Sequence, residues 1–471
     1  MPSVAPGPHS ERAPVLPPRD EPTHNGSADN GHVAPTKVTA GAASPLAIPK
    51  GDFDRLTHYL FRYPAKFHPP VASTLIELFT TEGDLVLDPF CGSGTLLVEA
   101  AVAGRPSMGM DIDPLAVAVS EAKTHRFRAS HLAASGATLV AALRDYARPA
   151  EEYERRKFTD LTDAEYADEL QGVSEWVPAI PNLLHWFRRY VVIDLAFMRA
   201  VIETAPIPET HRRFFRVVFA SIIRTTSNAD PVPVSGLEVT KWMVQREKNG
   251  RLVDPFSLYT IAQTKAIEAA TAFTKSAKAS TPVRVFAGDA TAIGDYLDGT
   301  VDAVITSPPY HSAVDYYRRH QLEMYWIGLA ASHAERVELL HHYVGRPKVP
   351  KSHPLVRTPL ETSEAKAWED RIRTVSDERA DAFHHYIAAM RSFFTGLTDH
   401  VTVGAPAILV VGHSDWNGTT IPTTLLFEEL AGTAFTLHKV LCYPVKNRYM
   451  SYERHNNASI SEEYVLVFRR H

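Results

Sequence analysis

A strand that runs into a glycine-rich turn and then a helix constrains this chain more than any other feature. Asp84-Leu85-Val86-Leu87 reads as a buried strand. Asp88-Pro89-Phe90-Cys91-Gly92-Ser93-Gly94-Thr95 reads as the turn, and Leu96-Leu97-Val98-Glu99-Ala100-Ala101 as the helix it feeds. Strand, turn and helix in that order are the first half of a nucleotide-binding α/β unit. Gly92 and Gly94 let the backbone turn tightly and approach a ligand with no Cβ in the way. The next strand ends in Met108-Gly109-Met110-Asp111-Ile112-Asp113-Pro114. That puts an acidic residue about twenty positions on, where a ribose diol is held in such units. The turn is neither G-x-G-x-x-G nor G-x-x-x-x-G-K-[ST], and no lysine in it is placed for phosphates. An acidic Asp88 at the mouth suits a cationic or zwitterionic ligand better than a pyrophosphate.

A second motif lies far downstream. The apolar run Val301-Asp302-Ala303-Val304-Ile305-Thr306 ends at Ser307-Pro308-Pro309-Tyr310. Two prolines stop a strand, because proline has no N–H for the ladder and restrains the residue before it. The stiff turn that results presents a hydroxyl, free carbonyls and an aromatic ring at a strand's carboxyl end. Those groups suit a flat, nitrogen-bearing ring, stacked on Tyr310 with its amino hydrogens directed to Ser307 Oγ and the Pro308 carbonyl.

Together these two motifs resemble the amino-methylating DNA methyltransferases, which use S-adenosylmethionine to modify cytosine N4 or adenine N6. Tyr63-Pro64-Ala65-Lys66-Phe67-His68-Pro69 is similar to the segment that this family places before the first strand, over the methionine end of the cofactor. Gly288-Asp289-Ala290, after Val283-Arg284-Val285-Phe286, is similar to the family's third-strand motif at the adenine. The resemblance implies a Rossmann-like α/β sheet, mostly parallel with a C-terminal antiparallel hairpin. It also implies that Lys66, Phe67, Asp88, Pro89, Phe90, Gly92, Ser93, Gly94 and Thr95 line the cofactor. Asp111 with Ile112 would take the ribose, and Asp289 with Ala290 the adenine. Ser307, Pro308, Pro309 and Tyr310 would hold the target base. Serine at the first position of that last motif accompanies cytosine N4 in this family, where aspartate or asparagine accompanies adenine N6. DNA with a flipped base is the implied partner, and a cognate restriction nuclease the implied companion.

Composition bounds the rest. The chain has 471 residues, 45% hydrophobic and 22% charged, with a formal charge of −5. That balance argues against strong non-specific nucleic-acid binding, though not against a local basic face. Cys91 and Cys442 are the only cysteines, and neither lies in a C-x-x-C or Cys/His cluster. No structural zinc, other metal or disulfide framework is therefore expected. The absence of a signal-peptide pattern and of a bilayer-length apolar stretch makes a cytoplasmic location the expectation.

Four segments are expected. Residues 1–50, rich in Pro, Ala, Gly and Ser, read as a disordered tail. Residues 51–128 carry the cofactor motif, and 282–471 the base motif. Between them, 129–281 turns helical, with apolar faces such as Phe214, Phe215, Val218, Phe219, Ile222 and Ile223. This insertion is either a scaffold or a DNA-contact element, and Arg212, Arg213, Arg216 and Arg224 fit a solvated helix face as well as a phosphate grip. Arg346-Pro347-Lys348-Val349-Pro350-Lys351-Ser352-His353 is a second candidate for DNA contact. So is the polar connector holding Lys446-Asn447-Arg448 and Arg454-His455, which lies between the strand-like 437–442 and 463–468. Cys91 lies in the cofactor turn, away from the base grip, and reads as a packing residue. Rival readings are guanine-N2 methylation of RNA, which uses similar motifs, and a cofactor-binding regulatory subunit of a defence complex.

Overall fold

The computed structural model describes residues 43–49, 56–64, 66–231, 236–279, 281–311, 316–416, 419–445 and 462–471. Most of the segment read as a tail, the stretch 312–315 after the base motif and the polar connector holding Lys446-Asn447-Arg448 and Arg454-His455 fall outside the described residues. Ten strands are present among the described residues: β1 (Ser44–Pro45), β2 (Val86–Asp88), β3 (Ser107–Asp111), β4 (Val283–Ala287), β5 (Ala303–Thr306), β6 (Pro406–Val411), β7 (Ser414–Trp416), β8 (Thr419–Ile421), β9 (Phe435–Pro444) and β10 (Glu462–Arg470). Eight of them form one sheet in the order β1-β9-β10-β6-β5-β2-β3-β4, and β7 pairs with β8 apart from it. The run from β4 to β6 is parallel, and β10 lies antiparallel between β6 and β9. The mostly parallel α/β sheet with an antiparallel hairpin is thus the fold.

Alternation along the strands builds two cores. Leu87, Val304, Leu409 and Leu466 point to one face, where the helix Asp377–Leu397 buries Phe383, Ile387, Met390 and Phe394. Their neighbours Val86, Ile305, Ile408 and Val465 point to the other, against Val71, Leu75 and Ile76 of α1 (Pro69–Phe79). Strands covered on both faces are apolar throughout, which is why β2, β5 and β6 read as continuous hydrophobic runs.

Strand order reverses at β2. The chain leaves it through α2 (Thr95–Ala103) to β3 and then through α3 (Pro114–Thr124), while β5 returns to its other side with Leu87 paired to Val304. A reversal of this kind opens a crevice at the carboxyl ends of the two central strands. Both sequence motifs begin there, at Asp88 and at Ser307.

The insertion between β3 and β4 is helical, as expected. Its helices Ala129–Arg144, Arg189–Thr204, Glu209–Thr226 and Pro255–Ser276 share one core with Leu115, Ala116 and Val119 of α3 and with the fully buried Trp326. It is therefore packed onto the sheet layer. Its arginines are largely self-neutralised: Arg212 and Arg213 pair with Glu209 at 3.0 and 3.6 Å, Arg216 with Glu203, and Arg224 with Glu323 at 3.6 Å. One boundary differs from expectation. Ser44–Pro45 pair in parallel with Leu441 and Cys442, and Leu46 is buried beside Leu75 and Tyr443, so these three residues of the segment read as tail belong to the fold. A single apolar Leu-Ala-Ile run among prolines gave too little periodicity to mark it. No helix among the described residues is long and apolar enough to cross a membrane.

Candidate cofactor and base site

The crevice at the reversal is a cleft of about 820 Å³, counting the space open to solvent at its mouth. Lys66, Phe67, Asp88, Pro89, Phe90, Gly92, Ser93, Asp111, Ile112, Asp289 and Ala290 line it, together with Ser307 and Pro309. Two loops more than two hundred residues apart thus share one cavity, as the paired motifs require. Gly94, Thr95, Pro308 and Tyr310, expected at the ligand, are not in the lining.

The physical reason is different for each pair. Gly94 has φ +70° and its missing Cβ would stand 2.7 Å from Ser120 Oγ. It serves the turn and the seat of α2 on α3, while Thr95 is buried in the first turn of α2. Pro308 is buried under the turn. Tyr310 points back into the sheet, where its phenol donates to Glu463 of β10 at 2.9 Å and Tyr443 donates to the same carboxylate. Burial and the Glu463 charge raise the Tyr310 pKa well above its ordinary value. Ser307 Oγ donates to the Val410 carbonyl at 3.2 Å.

Two carboxyls dominate the electrostatics. Asp88, only 2% exposed, accepts from Thr306 Oγ1 at 2.7 Å and from the Phe90 N–H at 3.3 Å. Asp111 accepts from the Gly92 N–H at 2.8 Å and from the Asp113 N–H at 2.9 Å, so it clamps the turn as well as facing the cleft. Burial is the leading cause that pushes both pKa values up to about 7, with the charge of Asp111 adding to it for Asp88 and that of Asp113 for Asp111. Each would regain its charge beside a cation. That matches a ligand carrying an ammonium or a sulfonium. At the far wall Asp289 caps its turn through Thr291 and meets His342 Nδ1 at 3.2 Å. Lys66 reaches the His58 carbonyl at 3.1 Å and lies 3.6 Å from the Tyr59 ring centroid.

Tyr63, Cys91, Asp113 and Gly288, which lie within the quoted motifs without having been assigned to the ligand, also face the cleft. So do His342, Tyr343 and Val344, which no motif marked. These three come from a polar stretch that meets Asp289 through His342, 53 positions away, and no periodicity marks it. Gly345 holds that stretch against the base motif, since a Cβ there would stand 3.0 Å from the Tyr310 carbonyl oxygen. Behind the cofactor turn, Lys123 is fully buried and donates to the Ser93 carbonyl at 2.6 Å. Burial lowers its pKa well below the ordinary lysine value. Asp113 accepts from His320 Nδ1 at 2.8 Å, and the His320 ring lies 4.7 Å from that of Tyr63, which fixes the segment before α1 over the cleft.

Residues 36–122 match the family model described as DNA methylase. The type II methyltransferase M.MvaI of Kocuria varians is 25% identical over 303 residues, 60% of this chain and 60% of that protein. The type II methyltransferase M.BsoBI of Geobacillus stearothermophilus is 25% identical over 284 residues, 58% of this chain and 53% of that one. A shorter likeness, 43% over 54 residues, or 11% of this chain and 16% of the relative, joins it to a tRNA (guanine(10)-N2)-dimethyltransferase of Methanothermobacter thermautotrophicus. This chain thus spans about three-fifths or less of the length of each of these relatives. The segment that carries the cofactor turn is thus similar to the DNA methylase family, and the two longer likenesses are to type II methyltransferases.

Proposed function

We propose that this protein methylates DNA at an exocyclic amino group, that of cytosine N4, on a base flipped into the cleft. The observation that carries the reading is the single cavity lined by Gly92 and Asp111 on one side and by Ser307 and Pro309 on the other. Methyltransferases of this family use S-adenosylmethionine, which supplies a methyl group on a cationic sulfur. The carboxyls of Asp88 and Asp111 would hold that ligand, Asp111 at the ribose and Asp289 at the adenine.

The chain's own task is alignment. The lone pair of a ring amine is delocalised, so the amine is a poor nucleophile until it is turned out of conjugation. Ser307 Oγ and the Pro308 carbonyl are acceptors at adjacent backbone positions, and two acceptors favour the pyramidal nitrogen of the transition state. Ser307 can go on donating to the Val410 carbonyl while its lone pairs accept from the base amine. Pro309 would bound the ring, and the Tyr310 phenol, anchored by Glu463, would hold the turn in place. A base stacked in a duplex cannot reach these groups, hence the flip. Serine at position 307 favours cytosine N4 over adenine N6 by the family pattern. The tRNA relative shares only a short segment with this chain, which favours DNA over RNA.

Labelled methyl donor offered in parallel to genomic DNA and to total RNA, followed by nucleoside analysis, tests this. N4-methylcytosine in DNA is the expected product. Label in RNA alone, or N6-methyladenine as the product, overturns the corresponding part of the reading. Ser307→Ala is expected to lose at least ~100-fold in turnover with cofactor affinity unchanged.

A further inference from the structure

The arginine-rich faces of the insertion are spent on internal ion pairs, but one short helix is not. In the helix Lys241–Lys248, Lys241, Trp242, Gln245, Arg246 and Lys248 are exposed, and the sole acid, Glu247, turns inward to Arg188 and Arg251. Among the described residues no ion pair engages Lys241, Arg246 or Lys248. Trp242 is 53% exposed, with the Arg246 guanidinium 4.7 Å from its ring centroid. The result is an outward face with three cations, no exposed carboxylate and a large aromatic ring, on a chain whose formal charge is −5.

The helix is also held in a fixed place. Met243 is buried beneath it, and Thr240 caps it through the Met243 N–H while donating to Asp230 at 2.8 Å. Asp230 in turn donates its N–H to the Glu238 carbonyl at 2.7 Å, closing a loop of chain. Gly236, within that loop, lies against Arg318, where an added Cβ would stand 3.3 Å from Arg318 Cβ. Arg318 belongs to the helix Tyr316–Arg319, which follows the Ser307–Tyr310 turn. The loop therefore connects the exposed helix to the segment leaving the base grip.

We infer that the helix Lys241–Lys248 is a contact surface for duplex DNA flanking the flipped base. Lys241, Arg246 and Lys248 would sit at backbone phosphates, and Trp242 would pack on sugar or an exposed base face. The inference rests on the DNA-methylating reading above. Charge complementarity selects the partner. Phosphate neutralisation needs cations without competing acids, and the ring beside an arginine is an arrangement used to stack on nucleic acid. An apolar protein partner would find three charges around a single ring.

The test compares wild-type protein, the charge variant K241A/R246A/K248A, W242A and the control R213A, whose residue is exposed but paired with Glu209. Each is assayed for duplex binding from 50 to 200 mM salt, for methyl-transfer kinetics on a duplex substrate and for cofactor affinity. Wild-type protein that neither binds nor methylates DNA would overturn the functional reading and this inference together. Given wild-type activity, the charge variant is expected to raise KM for DNA by roughly ten-fold or more, with kcat and cofactor affinity unchanged. Its log-affinity against log-salt slope should become shallower by about 2–3. W242A should weaken binding without changing the salt slope, and R213A should match wild type. A charge variant with wild-type KM and salt slope overturns the inference while leaving the function standing. So does a loss of cofactor affinity that accounts for the whole defect.

Discussion

Asp88 and Asp111 carry the most direct consequences at the scale of single residues. Burial raises both pKa values to about 7, above the ordinary 3.8. In the free protein the folded state therefore holds protons more tightly than the unfolded chain, so these sites lower stability progressively as pH rises from 3.8 to about 7. Asp88→Asn keeps the acceptor used by Thr306 and removes the titration. It is expected to flatten the stability–pH curve over that window and to raise Tm at pH 8, by calorimetry of the ligand-free protein, while abolishing cofactor binding. Cofactor affinity of the wild type should rise between pH 6 and 8, the interval that brackets the value of about 7, and level off above it, as calorimetric titration would report. Lys123→Met orphans the buried Ser93 carbonyl and should cost about 1–3 kcal/mol in denaturant unfolding. The acids were legible because an acid beside a glycine turn has few structural uses. Lys123 and His320 were not, since each acts through a partner at least 30 positions away.

Among the elements, the cofactor turn is the least forgiving. Gly94→Ala meets both a left-handed φ of +70° and Ser120 Oγ at 2.7 Å, and should destabilise by about 2–4 kcal/mol. The central strands were legible because doubly covered strands are apolar along their whole length, and β10 because Tyr464-Val465-Leu466-Val467-Phe468 is an apolar run rich in β-branched and aromatic residues. The edge pairing of Ser44–Pro45 was not, because two residues cannot display a period. Nor was the direction of Tyr310. An aromatic ring after two prolines reads the same whether it faces a ligand or a carboxylate of another strand. Tyr443→Phe removes one of the two phenols on Glu463 and tests the anchor. Methyl transfer is expected to fall several-fold with cofactor affinity unchanged, and Glu463→Gln, which still accepts from Tyr310, should retain more activity than Glu463→Ala.

Taken as a whole molecule, the helical insertion and the sheet are one folding unit. Leu115 and Val119 of α3 lie in the same core as Phe214, Phe219 and Trp326, so unfolding is expected as a single calorimetric transition rather than two. The composition of residues 129–281 showed that the insertion was helical, but its attachment to α3 depends on tertiary contacts that no local pattern encodes. The Glu463 tether has its own temporal consequence. Tyr310 and Glu463 are 153 residues apart, a stretch a ribosome needs roughly 8–30 s to deliver at ~5–20 residues per second. During that interval a nascent chain already owns every strand from β2 to β5, yet the tyrosine that ends the Ser307–Tyr310 turn has nothing to hold. Synthesis itself would then separate the moment the turn after β2 is complete from the moment the turn after β5 is anchored.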